Sequence, residues 1–558
     1  MNMRNIEKLL SSNIFLIFSR YVILGFLFVT VLIPAIYVFS AVILEWPTVW
    51  EWVFADPIAG DIRWEFIKIT LIRSFEIAFI VTIIDIIIGL PMGLILARYN
   101  FRGKSFVDTL IDLPMAVPTS ALGFSIFLFW GSSGGIAFIL GLEKGLFSLG
   151  PILVMLAHIA FTYPFIVRSI KAIIESVDLQ YEYAARTLGA PTFTVFRTIT
   201  LPLILEGLIA GSILAFTRSL GETGATLIVS GIFETAPVLV VKWRRLLQIP
   251  AAAFLSMLLV VISIVLLTLA KVITRQFGVP LKKIWLGPEK FLSKKHARLS
   301  RDLFAFGVFL LIILIPSLYT FSYTAMWWNG SPYTGRVESG VYYQVFLSPD
   351  NKWEKLWNAL ITSVLVASIV TVVNLAFGLP MAFLLVRGRL GKIKNLLDSL
   401  IDIPLAIPTS ALGFSVFLFW NRALHIFNTG FWLIVMVHIV FTYPYMVRPL
   451  IAVVESIDIE LEEAARTLGA PPLTVFRTVT LPIIRKGILA AVIMTFTRSL
   501  SETGATIIVM GIERTVPVLI VDWVEAQAIQ AASFASVLLI LISYISLLLV
   551  RYITRERG

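Results

Sequence analysis

The sequence predicts an all-α integral membrane protein, twelve transmembrane helices arranged as two parallel six-helix repeats. Three observations carry that expectation. Hydrophobic residues make up 58% of the 558 positions and charged residues only 14%, with a mean hydropathy of +0.92. A soluble chain cannot hide that much apolar surface, so lipid must solvate part of it. Nearly uncharged stretches long enough to cross about 30 Å of hydrocarbon recur from end to end, and the second half of the chain repeats the first. Disorder and a disulfide scaffold are excluded, and zero cysteines remove thiolate metal sites and thiol redox chemistry. The net charge of +11 reads as lysines and arginines held on the cytoplasmic side, not as a nucleic-acid footprint.

The first crossing, Tyr21 to Leu44, carries no charge. It follows Arg4, Lys8 and Arg20 and precedes a loop with Trp46, Trp50, Glu51, Trp52 and Asp56. Basic residues before and interfacial tryptophans after place the N-terminus inside. The run is too long for a signal peptide and no small-residue cleavage site follows it. Further crossings are expected near 67–97, 107–130, 150–168, 201–229 and 250–272, then 303–325, 356–386, 396–420, 430–448, 482–510 and 532–551. The basic turn from Arg98 to Lys104, the stretch 271–301 with its nine lysines and arginines, and the end from Arg551 to Arg557 all fall inside on this topology. It gives a first module over 1–272, a basic linker over 273–301 and a second module over 302–558, with both termini cytoplasmic.

The repeat is explicit. Residues Ile111–Phe124, containing Asp112-Leu113-Pro114 and Pro118-Thr119-Ser120, return as Ile401–Phe414 at an offset of 290; Phe161-Thr162-Tyr163-Pro164 returns as Phe441–Pro444 at an offset of 280. The difference is a deletion in an outward loop, where length changes are tolerated. An even number of crossings per copy points both copies the same way, and such parallel repeats share a path along an axis normal to the membrane.

Between the fourth and fifth crossings lies a long inside loop, Asp178 to Pro202, with its twin from Asp458 to Pro482. Asp178 and Asp458 read as helix N-caps, Gly189 and Gly469 as left-handed C-terminal caps, and Pro191 and Pro471 as stops. A second short helix is expected before Leu-Pro re-enters the membrane. A helix held at the surface with nothing apolar obliging it to be there is a docking element.

The pattern Glu-Ala-Ala, three residues, Gly, nine residues, Ile, one residue, Leu-Pro resembles the signature loop of ABC-importer permease subunits. The second copy supplies Glu463-Ala464-Ala465, Gly469, Val479 for Ile, and Leu481-Pro482, with Glu462 just before. The first supplies Ala184-Ala185, Gly189 and Leu201-Pro202, with Tyr183 in place of the glutamate and Glu182 preceding it. The resemblance covers essentially the whole chain as two fused modules and implies a multi-pass cell-membrane subunit with the type I ABC importer permease fold. It implies two copies of a separate ABC ATPase, one docked on each loop, and an extracytoplasmic solute-binding protein. ATP and Mg would sit on the partner subunits, with no cofactor, metal or catalytic site on this chain. Gly103-Lys104-Ser105 is no phosphate loop, because Arg98 stands where a glycine is required.

Candidate path residues come from two places. Arg218, Ser219, Glu222, Thr223 and Thr226, with Arg498, Ser499, Glu502, Thr503 and Thr506, lie where the fifth and eleventh crossings end. Facing lipid, each charge would cost about 2.5–3.5 kcal/mol, so they must face the interior, water or each other. The i,i+4 spacing of Arg218–Glu222 and Arg498–Glu502 allows pairing on a continuous helix. Pro118-Thr119-Ser120 and Pro408-Thr409-Ser410 break the third and ninth crossings, and such breaks are tolerated where they line a cavity. Asp85, matched by Asn374, reads equally as a buried packing hydrogen bond, and His158 and His438 as helix–helix hydrogen bonders. The motifs around Asp112-Leu113-Pro114 and Arg218 to Thr226 resemble permeases for sulfate, molybdate and tungstate. Fusion of two modules is more typical of ferric iron and thiamine importers, which stay as the alternative cargo. An ion-coupled secondary transporter with the same parallel repeat is the rival of a different class.

Overall fold

The computed structural model describes residues 13–56, 59–273, 286–388 and 390–554. Arg4, Lys8, Arg275, Lys282, Lys283 and the end from Arg555 to Arg557, all used in the topology reading, lie outside the described residues. Among the described residues every regular element is a helix. The first half comprises α1 (13–44), α2 (Gly60–Arg98), α3 (104–116), α4 (Thr119–Ile126), α5 (Pro151–Ser176), α6 (Leu179–Thr187), α7 (Thr192–Leu220), α8 (Gly224–Val229), α9 (Ala236–Arg245) and α10 (Ile249–Ile273). A linker helix α11 (Leu286–Leu292) leads to the second half. That half comprises α12 (Lys295–Met326), α13 (Lys352–Arg387), α14 (Ile393–Ala406), α15 (Thr409–Ala423), α16 (Phe431–Glu455) and α17 (Ile459–Thr467), then α18 (Pro472–Leu500), α19 (Gly504–Val509), α20 (Val516–Glu525) and α21 (Ile529–Thr554).

Eleven helices are long and apolar enough to cross a membrane, or twelve when α14 and α15, bent by 104°, count as one span. The ninth crossing, expected as a span over 396–420 broken at its proline, is therefore two segments meeting at a sharp bend. Pro408 ends one segment and caps the next, because proline cannot donate into the preceding turn and its ring forbids continuing the helix. Pro118 occupies the same place before α4. The fifth and eleventh crossings also differ from expectation. They end at Leu220 and Leu500, and residues 224–229 and 504–509 form separate short helices.

The two halves interlock. Helix α1 packs on α13, α15 and α16 of the other half, and α12 packs on α2, α4 and α5. Phe26 stacks on Phe377 with ring centroids 3.9 Å apart, and the Val38 N–H donates to Ser415 Oγ at 2.9 Å. The reciprocal crossing stacks Tyr163 on Phe309 at 6.0 Å and joins the Ser125 and Thr320 hydroxyls. Each half thus lends its first helix to the other. Hydropathy could not show this, because it fixes depth and not neighbours.

At the end opposite the coupling loops, α9 and α20 close the centre. Arg245 bonds Glu525 at 2.9 Å, Arg514 bonds Asp522 at 2.7 Å, and Arg244 lies 4.2 Å over the Phe417 ring.

Candidate translocation path and coupling loops

The breaks at Gly221–Thr223 and Ser501–Thr503 bring both halves together at the centre. A Cβ on Gly224 would sit 2.6 Å from Thr119 Oγ1 and 2.9 Å from Thr503 Cβ; on Gly504 it would meet Thr409 Oγ1 at 2.5 Å and Thr223 Cβ at 2.7 Å. Only glycine permits that approach. Around this contact Thr119, Arg218, Glu222, Pro408, Thr409 and Glu502 border a space of about 20 Å³, room for about one water. The residues singled out from both places in the sequence therefore converge.

The anticipated Arg218–Glu222 and Arg498–Glu502 pairs do not form among the described residues, because the helix stops between the partners. Glu222 accepts from the Ala225 N–H at 3.0 Å and Glu502 from the Ala505 N–H at 2.9 Å, capping α8 and α19. The guanidiniums turn the other way. Arg218 lies 5.2 Å over Phe161, and Arg498 lies 5.0 Å over Tyr445. Both Nε groups are buried with no hydrogen-bond partner among the described residues, a state that costs about 1–3 kcal/mol unless a ligand supplies an acceptor. Both border a cavity of about 430 Å³ shared by the two halves, which runs past Phe165 and Met494 towards the coupling loops as far as Asp112 and Arg168. There Arg168 holds Asp112 at 2.6 Å and Asp108 at 2.7 Å; in the second half Arg448 likewise holds Asp402 and Asp398, both at 2.6 Å. The sequence reading passed over this pair of ion clusters, although Asp112 and Asp402 stand in the repeated motif and Arg168 and Arg448 share the 280-residue offset.

Ser219, Thr226, Ser499 and Thr506, read as path hydroxyls, border neither of these two spaces. His158 bonds Ser219 Oγ and Thr226 Oγ1, both at 2.8 Å, and His438 bonds Ser499 and Thr506 at the same distances. Each histidine thereby staples the broken α7–α8 or α18–α19 pair to α5 or α16. Ser120 and Ser410 are buried behind the break, their hydroxyls unbonded among the described residues. Asp85 accepts from Thr162, and its counterpart Asn374 donates to Thr442 at 2.8 Å.

The coupling loops fold locally as their residues dictate. Asp178 accepts from the Gln180 N–H at 2.9 Å and Asp458 from the Glu460 N–H at 3.0 Å. Gly189 and Gly469 take φ of +85° and +84°, where a side chain would be strained. No separate second helix follows. Residues from Thr192 and Pro472 run on into α7 and α18 through a π turn just before Leu201-Pro202 and Leu481-Pro482, the wider turn accommodating the proline. Ala184, Tyr183, Ala464 and Glu463 are exposed, Ala185 and Ala465 half-buried, and Leu188 and Leu468 stand out at 89% exposure. Tyr183 thus replaces a glutamate only on the outward face. Glu182 and Glu462 face inwards. Glu182 takes Arg98 at 2.9 Å and Thr200 at 3.2 Å, tying α6 to α2 and α7, while Glu462 takes Thr480 at 2.9 Å. Among the described residues only the first loop has a linker helix beside it: Glu289 of α11, nearly fully buried, bonds Arg197 at 2.9 Å and Thr194 at 2.5 Å.

Two interlocked lobes around a shared cavity, in which the guanidiniums of Arg218 and Arg498 stand on an otherwise largely apolar wall, each lobe with a surface helix fixed to its base, define a solute permease worked from outside the bilayer. A family profile described as "Binding-protein-dependent transport system inner membrane component" matches residues 89–278 and 374–557. The chain belongs to that family, as a multi-pass membrane transport subunit carrying the family module twice. It is 36% identical over 204 residues to the molybdate/tungstate transport system permease protein WtpB of Methanocaldococcus jannaschii, covering 36% of this chain and 78% of that one. It is 33% identical over 218 residues to the molybdenum transport system permease protein ModB of Haemophilus influenzae (37% and 94% covered). To the sulfate transport system permease protein CysT of Salmonella typhimurium it is 35% identical over 219 residues (38% and 76% covered). Each aligned stretch spans little more than a third of the chain, the scale of one repeat.

Proposed function

We propose that this permease imports a tetrahedral oxyanion of the molybdate, tungstate or sulfate class. The observation that carries the reading is the pair Arg218 and Arg498, one from each half, with unpartnered Nε donors bordering one shared cavity. Guanidinium forks bind oxyanions through charge-assisted hydrogen bonds, and the names of the relatives fit that cargo. The carboxylates of Glu222 and Glu502 are occupied as helix caps, which leaves the two guanidiniums to meet the anion.

Two ATPase subunits dock, one on each of α6 and α17, with ATP and Mg held on those partners, and a binding protein delivers the anion at the opposite face. The coupling-loop end and both termini are cytoplasmic, as the distribution of lysine and arginine supports. With the centre narrowed to about one water's room and the larger cavity running towards the coupling loops, the conformation described is closed to the outside. Closure of the ATPases pulls α6 and α17 together. The pull passes through Glu182 and Thr200 to α2 and α7 and parts the α8–α19 contact.

Proteoliposomes holding the permease, its ATPase and its binding protein test the cargo. ATP-dependent uptake of labelled molybdate, tungstate or sulfate, with none of ferric iron or thiamine, is expected. Uptake of iron or thiamine alone would refute the oxyanion reading. Uptake driven by a proton or sodium gradient without the ATPase would refute the coupling.

A further inference from the structure

Beside the first coupling helix lies a second cavity, of about 240 Å³, which the transport path does not use. Its cationic wall is Arg98, Arg186, Arg298 and Arg301, drawn from α2, α6 and the start of α12. Two carboxylates reach these groups. Glu182 bonds Arg98 at 2.9 Å and approaches Arg186 at 3.4 Å, and Asp302 bonds Arg301 at 2.6 Å. Arg298 has no acidic partner among the described residues. Four guanidiniums against two carboxylates leave a surplus of two positive charges around one hollow. The rest of the wall includes the apolar side chains of Leu94, Phe193, Phe196 and Leu292. The hollow sits where α2 and α7 leave the apolar layer, and basic pockets between helices at that depth suit phosphate headgroups.

We propose that this seam between the first coupling helix and the linker binds a phosphate-bearing anion, either an anionic phospholipid headgroup or free phosphate. The occupant bridges Arg186 on the coupling helix to Arg298 on α12, and so fixes the linker to the loop that the ATPase moves. Among the described residues the second coupling loop has no linker helix beside it.

The test uses the full chain, purified, with Arg298→Gln and Arg186→Gln/Arg298→Gln as variants. Arg298 is exposed and Arg186 is 45% exposed, so both changes leave the packed core intact. Native mass spectrometry after exchange into phosphatidylglycerol or phosphatidylcholine gives the lipid arm, and equilibrium dialysis of labelled inorganic phosphate gives the other. Retention of phosphatidylglycerol over phosphatidylcholine, falling about fivefold in Arg298→Gln and about thirtyfold in the double variant, supports the lipid headgroup. Phosphate binding lost in the same order supports the free anion. Binding of neither, or binding that both variants retain at the wild-type level, overturns the site.

Discussion

Replacing Glu182 by alanine removes the acceptor that holds the first coupling helix to its lobe. Arg98 reaches one oxygen of Glu182 through Nη2 at 2.9 Å and Nε at 3.2 Å, and Thr200 donates to the same oxygen at 3.2 Å. The two charged side chains are 14% and 7% exposed. Removing one partner of a buried pair costs about 3–5 kcal/mol, chiefly because the survivor stays charged and buried. Here the Val177 carbonyl still accepts from Arg98 Nη2 at 3.2 Å, and the guanidinium retains some water, which brings the cost to about 2–3 kcal/mol. Each 1.4 kcal/mol is a factor of about ten, so the docked loop loses about thirtyfold to a hundredfold in population over the undocked one. The second half supplies the control. Glu462 holds Thr480 at 2.9 Å and Arg466 only at 3.8 Å, while Arg387 is engaged by the carbonyls of Val454 and Ile457 at 3.4 and 3.0 Å. Glu462→Ala therefore costs about 1 kcal/mol. In the assembled complex, binding-protein-stimulated ATP hydrolysis should fall at least about tenfold in Glu182→Ala and less than about fivefold in Glu462→Ala. Equal effects, or a larger one in Glu462→Ala, would refute the assignment of Glu182 as the brace.

Arg218→Gln and Arg498→Gln should each lower ATP-dependent uptake of the oxyanion about tenfold or more while basal hydrolysis holds, since each removes a charged donor from the cavity; unchanged uptake counts against the path. Gly224→Ala should keep α8 and α19 apart, because its Cβ would lie 2.9 Å from Thr503 Cβ, and should appear as passive leak of cargo from loaded vesicles without ATP. Asp85→Asn should leave expression and uptake within about twofold, because Asn374 already fills the matching place against Thr442, whereas Asp85→Leu leaves the Thr162 hydroxyl only the His158 carbonyl, at 2.7 Å, and lowers thermal stability by about 1 kcal/mol.

The membrane architecture was legible because hydropathy is a one-dimensional signal, and the duplication because motifs such as Phe161–Pro164 survive nearly unchanged in both copies. The caps at Asp178 and Gly189 were legible for the same local reason. What escaped the reading depends on the third dimension. Nothing in the pattern Arg-x-x-x-Glu announces that the helix ends at Leu220, so the spacing suggested a pair where the structure caps α8 with Glu222 and turns Arg218 to the cavity. Ser219 and Thr226 looked like path hydroxyls because their histidine partner lies 61 and 68 residues away. The family signature drew attention to the outward face of α6, while Glu182 does its bracing from the inward one.

The contact between Arg245 and Glu525 has a consequence for symmetry. With the second copy offset by 280 residues, position 245 corresponds to 525 and position 242 to 522, so Lys242 and Arg245 are the twins of Asp522 and Glu525. In a pair of identical chains position 245 would confront its own kind across the twofold axis, arginine to arginine or glutamate to glutamate, and would repel. Within one polypeptide the two copies carry opposite charges at this place, so that a duplicate of either lobe would set like charge against like at this contact.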